Sequence, residues 1–369
     1  MHLLQKAMNK TLIYLIISIF TLFATSCGDK PNASHPQTGY LLVFSDDSCH
    51  CITYNDGLIF STDNTNSSLF YNDIAATQNR DGNWGYINRK GELKLPASYE
   101  RATVFSEGMA WVMKRGDMPG AINEKGDIKI SLRDAHSVRV FIEGRAAIAE
   151  IKKKQVLWGF IDKNGNEIVK PQYKSVSDFR LGLAAVEDLD GKWGYINLNG
   201  KCIIDCQYKE AFPFNDNGLA IVKTDSDYKI INREGAITQS HTYNEMKPDG
   251  LWAKVRIGNM WGWCNELGEK VIEPQFEETR LFGKADLAPV KIRGKWGYIN
   301  RKGEVVIKRQ FTEAYPFVDD CAAVKTGTVW GFINTKGSFT VNPQYDYISQ
   351  DYLYQALGLG CSMATLSIK

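Results

Sequence analysis

Apolar residues along this chain fall in short blocks separated by polar turns, and the blocks themselves recur. Trp193-Gly194-Tyr195-Ile196 is closed by Asn197 and, three residues on, Gly200. The same figure is written at Trp84-Gly85, Trp158-Gly159, Trp261-Gly262, Trp296-Gly297 and Trp330-Gly331, with worn versions at Gly120-Ala121-Ile122-Asn123 and Lys229-Ile230-Ile231-Asn232. The residue after the Trp slot falls at 85, 120, 159, 194, 229, 262, 297 and 331, steps of 33 to 39 residues. Eight copies result, and Cys51 to Gly57 reads as a worn ninth. A fixed period of this size marks a repeat architecture.

Each copy reads as a β-meander. Trp-Gly-Tyr-Ile is aromatic and β-branched at strand length. Asn-x-x-Gly then supplies a type I turn whose glycine takes positive φ, the chemistry of a hairpin with a G1 bulge. A second strand follows, such as Val305-Val306-Ile307, and Pro171, Pro274 and Pro343 are expected to end it because proline cannot donate to a ladder. A third strand is built of small residues, as in Leu183-Ala184-Ala185-Val186.

Alternation places Trp193 and Tyr195 on one face and Gly194 and Ile196 on the other. Both faces are apolar, so each small sheet is expected to lie between two others rather than against water. The Trp is the expected wedge between copies, with the Gly and the Ala-Ala pair making room for a neighbour's ring. A handful of buried side chains does not offset the ordering of some 35 backbone units, so copies depend on one another. The fold class that follows is all-β: tandem ~35-residue antiparallel meanders stacked face to face. Eight copies suit a closed, propeller-like ring, and worn terminal copies suit an open superhelical array with caps.

The run Lys-Trp-Gly-Tyr-Ile-Asn-x-x-Gly, with Pro-Gln-Tyr/Phe, Phe and Ala-Ala-Val downstream, resembles the WG-repeat (KWG) family of bacterial proteins over roughly residues 80–348. The resemblance implies an all-β array, often exported, with a binding or scaffolding role and no catalytic residues to carry over. Pro119-Gly120 and Tyr228-Lys229 depart from it, since the Trp is missing there.

The ends carry an address. Lys6 and Lys10 precede a 13-residue apolar run, Leu12 to Ala24, too short to span a bilayer as a helix and suited to a signal-peptide core. Ala24-Thr25-Ser26-Cys27 resembles the lipobox of bacterial lipoproteins, which makes Cys27 the expected lipidation site. The expected divisions are a signal peptide at 1–26, lipidated Cys and tether at 27–39, a degenerate capping repeat at 40–80, the array at 81–348 and a tail at 349–369. The insertion in the step from 120 to 159 is expected near Ser131–Val138 as a surface loop.

Loss of Lys6 and Lys10 with the leader takes the 44 basic side chains to 42, equal to the 42 acidic ones. A neutral mature chain has no field to draw it to nucleic acid or to an anionic membrane surface. The membrane is therefore expected through the anchor only, and the partner is a protein or a glycan.

Candidate chemistry is sparse. No cofactor motif, metal-ligand set or catalytic constellation stands in the sequence, and the protein is read as non-enzymatic. Cys49-His50-Cys51 lacks a second pair of ligands nearby. Cys264 and Cys321 fall in apolar slots, and Cys202 and Cys206 lie along one strand, beyond disulfide reach of each other. Asp162 to Glu167 is faintly like a calcium loop, but it occupies the hairpin-turn slot of every copy. Trp111 and Trp252 stand in the small-residue strand, where a Trp either fills a gap or faces out as a stacking platform; they are the candidate ligand-stacking residues. The leading function is a lipid-anchored envelope protein that binds through its repeat surface. An envelope spacer and a polysaccharide-active enzyme, whose carboxylates would meet only in space, are the alternatives.

Overall fold

The structure is a computed structural model that describes residues 40–45, 48–53, 60–62, 66–68, 73–348 apart from 89, 239, 240, 242, 284 and 319, and 365–367. The described residues form nine antiparallel sheets and no helix. The recurring pattern is a short lead strand, a small-residue strand, the Trp-Gly strand and a trailing strand, seven residues long in six of the sheets and, among the described residues, missing from the sixth. In the fifth sheet these are Ser175–Val176, Leu183–Glu187, Trp193–Asn197 and Cys202–Tyr208.

The turn chemistry is as expected. In all eight Asn-x-x-Gly turns the first side chain accepts backbone N–H bonds from two and four residues on, as Asn197 Oδ1 does from Asn199 and Lys201 at 3.0 Å. The glycines that follow have φ between +76° and +87°, which explains the residue choice.

Successive sheets pack on each other through alternate faces. Tyr195, Ala185 and Leu183 join the core shared with Phe214 and Val222 of the sixth sheet, whereas Ile196, Ala184 and Val186 join Phe160 and Phe179 on the side of the fourth. The side chain that fills each junction is not the Trp, contrary to the expectation. Only Trp296 is buried, at 2% exposure; Trp84, Trp158, Trp193, Trp261 and Trp330 are half-buried. The third-position aromatic is fully enclosed instead, at Tyr86, Phe160, Tyr195, Trp263, Tyr298 and Phe332. The cause is place along the ladder: the Trp pairs with the last residue of the trailing strand (Trp193↔Tyr208), at the end of that ladder, while the Tyr pairs inside it (Tyr195↔Ile204).

The glycine also has another role than the one expected. A Cβ on Gly159 would lie 2.2 Å from the Val169 carbonyl oxygen, and one on Gly194 would lie 2.5 Å from that of Ile204. These are atoms of the sheet's own trailing strand, not a neighbour's ring. That strand runs on past Pro171, through a register shift between Trp158 and Phe160, and crosses the glycine closely. Proline therefore marks the bulge, not the strand end.

The chain's two ends meet in one sheet. Residues 347–348 pair antiparallel with Tyr40–Ser45 (Phe44↔Tyr347, Val43↔Ile348), giving the first sheet a lead strand from the far end of the chain. Every other sheet takes its lead strand from the segment directly following its predecessor, so this pairing completes a propeller-like ring. Within the segment 40–80, Tyr40–Ser45, Ser48–Thr53 and Phe60–Thr62 form the rest of the first sheet, and Ile74–Gln78 pairs with Trp84–Asn88 in the second.

The insertion before residue 159 is chiefly a longer hairpin, not a loop at 131–138. Strands Arg145–Lys152 and Gln155–Asp162 extend together around Lys153 and Lys154, both at positive φ, and Val138 is a buried lead-strand residue. From the tail, Thr365–Ser367 adds a fifth strand beside Ser137–Arg139; the expected covering residues Tyr352, Tyr354 and Leu357 lie outside the described residues, as do Cys27 and the leader.

Candidate functional site

Trp111 is not a surface platform. It is fully buried, stacked on Phe141 at 5.7 Å with the ring planes 16° apart. Its position follows from the hairpin register. Trp111 pairs with Ala121, the residue in the Tyr slot of that copy, whereas four other copies pair Ala with the aromatic, as in Ala76↔Tyr86 and Ala185↔Tyr195. Large and small residues have changed places across the ladder. The hydrogen bond moves with the ring. Tyr86, Tyr195 and Tyr298 donate through their hydroxyls to the carbonyls of Thr103, Phe212 and Tyr315 in the next sheet, at 2.7–2.9 Å. Trp111 Nε1–H donates to the equivalent carbonyl, that of Arg139, at 2.8 Å. The indole does the work of the missing tyrosine.

Trp252 occupies the Leu183 slot at the start of the small-residue strand, not an Ala slot, because its neighbour Ala253 pairs with Cys264 as Ala184 does with Ile196. It is half-buried, edge-on to Phe282 at 5.7 Å, and the Arg301 guanidinium lies 4.9 Å from its ring centre. Trp111 and Trp252 therefore do not form one patch.

Near Trp252 the seventh copy departs from the others. Trp263 replaces the Tyr and donates its Nε1–H to Asp249 Oδ2 at 2.6 Å, while Phe282 N–H donates to Asp249 Oδ1 at 3.0 Å. Asp249 is buried, and burial pushes its carboxyl up to about 6 against the two N–H donors that favour the charged form. A folded-state value above the ordinary 3.8 means that the folded chain holds this proton more tightly than the unfolded one. Its contribution to stability is full below pH ~4 and is lost as pH rises through ~6, by roughly 3 kcal/mol. Urea unfolding at pH 4.5 and 7 is expected to show about 2 kcal/mol of this difference relative to Asp249→Asn; identical pH profiles for the two proteins would rule out titration of Asp249 in that window.

The remaining candidates have local structural work. The Asp162 carboxylate accepts Asn164 N–H, Asn166 N–H and Asn166 Nδ2–H at 2.8–2.9 Å, as its turn slot demands. Glu277 accepts the backbone N–H groups of Arg293 and Gly294. Cys264 and Cys321 are buried, and burial pushes the Cys264 thiol up to about 12. Cys206, half-buried in the slot where Pro171 stands in another copy, and exposed Cys202 are free thiols. The side chains of Cys49, His50 and Cys51 lie outside the described residues. A groove of about 350 Å³ opens beside Gly297, lined by Val290, Ile292, Val305, Ile307, Lys308 and Arg309.

Four of the motif tryptophans, Trp158, Trp261, Trp296 and Trp330, carry cations, which sequence reasoning missed. Arg139 lies 4.5 Å from the Trp158 ring centre, Arg280 4.9 Å from that of Trp296 and Lys325 5.4 Å from that of Trp330. The signal was available as period-two placement of Lys and Arg opposite the Trp, as in Lys291↔Trp296 and Lys325↔Trp330.

No curated protein matches the chain. Among solved structures, a eukaryotic initiation factor is similar at 9% identity over 86% of this chain and 98% of that one, with a TM-score of 0.54, a likeness of fold alone. The computationally designed Ika8 protein (10% identity, 75% of this chain, 96% of that one, TM-score 0.43) and BamB from Moraxella catarrhalis (11%, 84%, 97%, 0.36) are more distant in shape. The family described as WG containing repeat matches residues 84–116, 158–193, 193–228, 261–296, 296–327 and 330–351. Together these cover more than half of the chain, in register with the Trp-Gly strands and the aromatic junctions they build, and the chain belongs to the WG-containing repeat family.

Proposed function

We propose that this is a lipid-anchored, non-enzymatic envelope scaffold that binds a protein partner along the trailing strands of its ring. The observation that carries the reading is a recurring band of exposed apolar side chains at the start of those strands: Leu93, Ile128, Ile203, Val271, Val305, Val306 and Phe339, with Leu93 at 64% and Val305 at 57% exposure. Single exposed apolar residues are ordinary, but here they recur in the first slot (Leu93, Ile128, Val305, Phe339) or the second (Ile203, Val271, Val306) of six trailing strands, which favours a contact surface at that end of the strands. The motif aromatics, the turn asparagines and the glycines are all committed to holding the ring together, which favours a scaffold over a reaction centre. The anchor rests on the leader and Cys27 alone.

A glycan array and an affinity capture from envelope extract, run with the wild-type protein and with Val305→Asp/Val306→Asp, test the reading. These side chains are exposed, so the variant should keep its stability within roughly 0.5 kcal/mol. A protein retained by the wild type and weakened at least tenfold by the variant supports the proposal, as does loss of membrane association in Cys27→Ser. Equal retention by both overturns the role of the band, glycan binding alone shifts the partner to a sugar, and silence in both assays favours a spacer.

A further inference from the structure

Three side-chain polar atoms among the described residues are buried without a hydrogen-bond partner. Arg280 Nη1 lies on the face of the eighth sheet turned to the ninth, where the guanidinium stacks on Trp296 and Tyr315 and pairs with Glu313. The other two, Arg256 Nε on the seventh sheet and Thr279 Oγ1 on the lead strand of the eighth, belong to the junction between those sheets. An unpartnered buried donor costs about 1–3 kcal/mol, so two in one place call for an explanation. The same place gathers positive charge. Lys247, Lys254 and Arg256 lie 5.8, 5.4 and 5.5 Å from the Trp261 ring centre, and Lys247 stands directly opposite Lys254 in the ladder. Like charges in that register repel.

The local acids leave part of this charge unmatched. Glu245 holds both Lys247 and Arg256, at 2.9 and 2.8 Å, and Glu313 holds Arg280. Lys254 makes no ion pair among the described residues; its ammonium donates to the Thr279 carbonyl at 3.3 Å, a long bond. Asp249, the remaining acid, already accepts from Trp263 and Phe282. Burial first, then Lys247 and Arg280, hold Lys254 below the ordinary lysine range against the pull of Asp249 and Glu245. Lys247, Lys254 and Arg256 against Glu245 leave an excess of two charges on this face, or one if Asp249 is ionised. The side chains of Lys247 and Arg256 are 50% and 39% exposed, so the junction is open to solvent.

We propose that this junction is an oxyanion-binding site, taking a carboxylate, phosphate or sulfate group of an acidic ligand between Lys254, the Thr279 hydroxyl and Arg256 Nε. An oxyanion supplies several acceptor lone pairs to these donors and cancels the Lys247–Lys254 repulsion; a neutral ligand does only the first. Guanidinium and ammonium donors together match such a group in geometry and charge. The site goes beyond the scaffold reading, since it stands whether or not the apolar band takes a partner.

The test is calorimetric titration of the full chain with sodium phosphate, sulfate and acetate at constant ionic strength, with chloride as reference. Saturable one-site binding by at least one of the three is expected, and the ranking among them tells a tetrahedral ligand group from a planar one. Lys254→Met and Thr279→Val should each weaken that binding about tenfold or more, while Lys125→Met, on an exposed turn elsewhere, leaves it unchanged. Lys254→Met should also melt higher than the wild type without anion, because an unpaired half-buried charge is gone. Absence of saturable binding up to roughly 50 mM, the weak end of useful affinity, or wild-type affinity in Thr279→Val, overturns the proposal; should Lys254→Met fail to fold, Thr279→Val decides alone. Val305→Asp/Val306→Asp should bind the anion as the wild type does, so failure of the band and failure of this site are read separately.

Discussion

Replacing Trp111 with alanine is expected to destabilise the ring by roughly 3–5 kcal/mol, the range for deleting a large buried aromatic. Two losses combine. The ring leaves a void against Phe141, and the Arg139 carbonyl loses the Nε1–H donor 2.8 Å away. Trp111→Phe separates them, keeping most of the volume and removing the donor, and should cost about 1–3 kcal/mol. The sharper experiment is the reversal. Trp111→Ala/Ala121→Tyr restores the small–large order found at Ala185↔Tyr195, where the tyrosine hydroxyl reaches the Phe212 carbonyl at 2.7 Å. The double variant should regain more than half of what the single one loses, a coupling of about 1.5 kcal/mol or more between directly paired residues. Additive costs measured by urea unfolding would show that the two slots are not equivalent and that Trp111 packs for some other reason. A ligand-stacking role would instead leave stability nearly unchanged in Trp111→Ala.

The strands, the hairpin turns and the sandwiching of each sheet were legible because they depend on short-range periodicity: aromatic and β-branched alternation in Trp193–Ile196, and Asn197 and Gly200 in the turn. Volume alone misplaced the wedge. Trp193 is larger than Tyr195, yet it opens its strand and is covered on one side only, whereas Tyr195 has a sheet on every side. Trp111 and Ala121 could have been read as a reciprocal exchange once the hairpin register was counted out, since no other copy puts a large residue in the one slot and a small one in the other. The ring's completion by Phe44 and Tyr347 lies beyond such reading, because nothing local in either segment names its partner. The cationic junction was hidden for a related reason. Lys254 and Arg256 look like the exposed face of a strand, and only the packing of the eighth sheet brings the lead-strand Thr279 beside them.

A pair of glycine substitutions should separate the motif's two forms. Gly159→Ala places a methyl 2.2 Å from the Val169 oxygen and 2.7 Å from both the Lys170 carbonyl carbon and the Pro171 nitrogen. These are backbone atoms with no rotamer to escape into, so the trailing strand must lift off the Trp-Gly strand. Overpacking of this kind costs ~1–3 kcal/mol or more, and the upper end is expected because Val169 also packs into the junction with the fifth sheet. Gly120 occupies the same slot in the copy without a Trp. There the trailing strand pairs Gly120↔Ser131 and Ala121↔Ile130 without a shift between them, and the nearest atom to an added Cβ is the Ile130 oxygen at 3.4 Å. With neither a severe clash nor a positive φ, Gly120→Ala should fall near neutral, and the smaller entropy of its unfolded chain could contribute up to about 1 kcal/mol in its favour. Melting and urea unfolding of the two variants should therefore differ by several kcal/mol despite identical chemistry. If both are equally harmful, the glycine serves backbone freedom in the strand; a gap between them ties it to the strand that crosses over it, and makes the Trp-Gly pair one device, with the Trp at the end of the trailing-strand ladder and the glycine letting the bulge close.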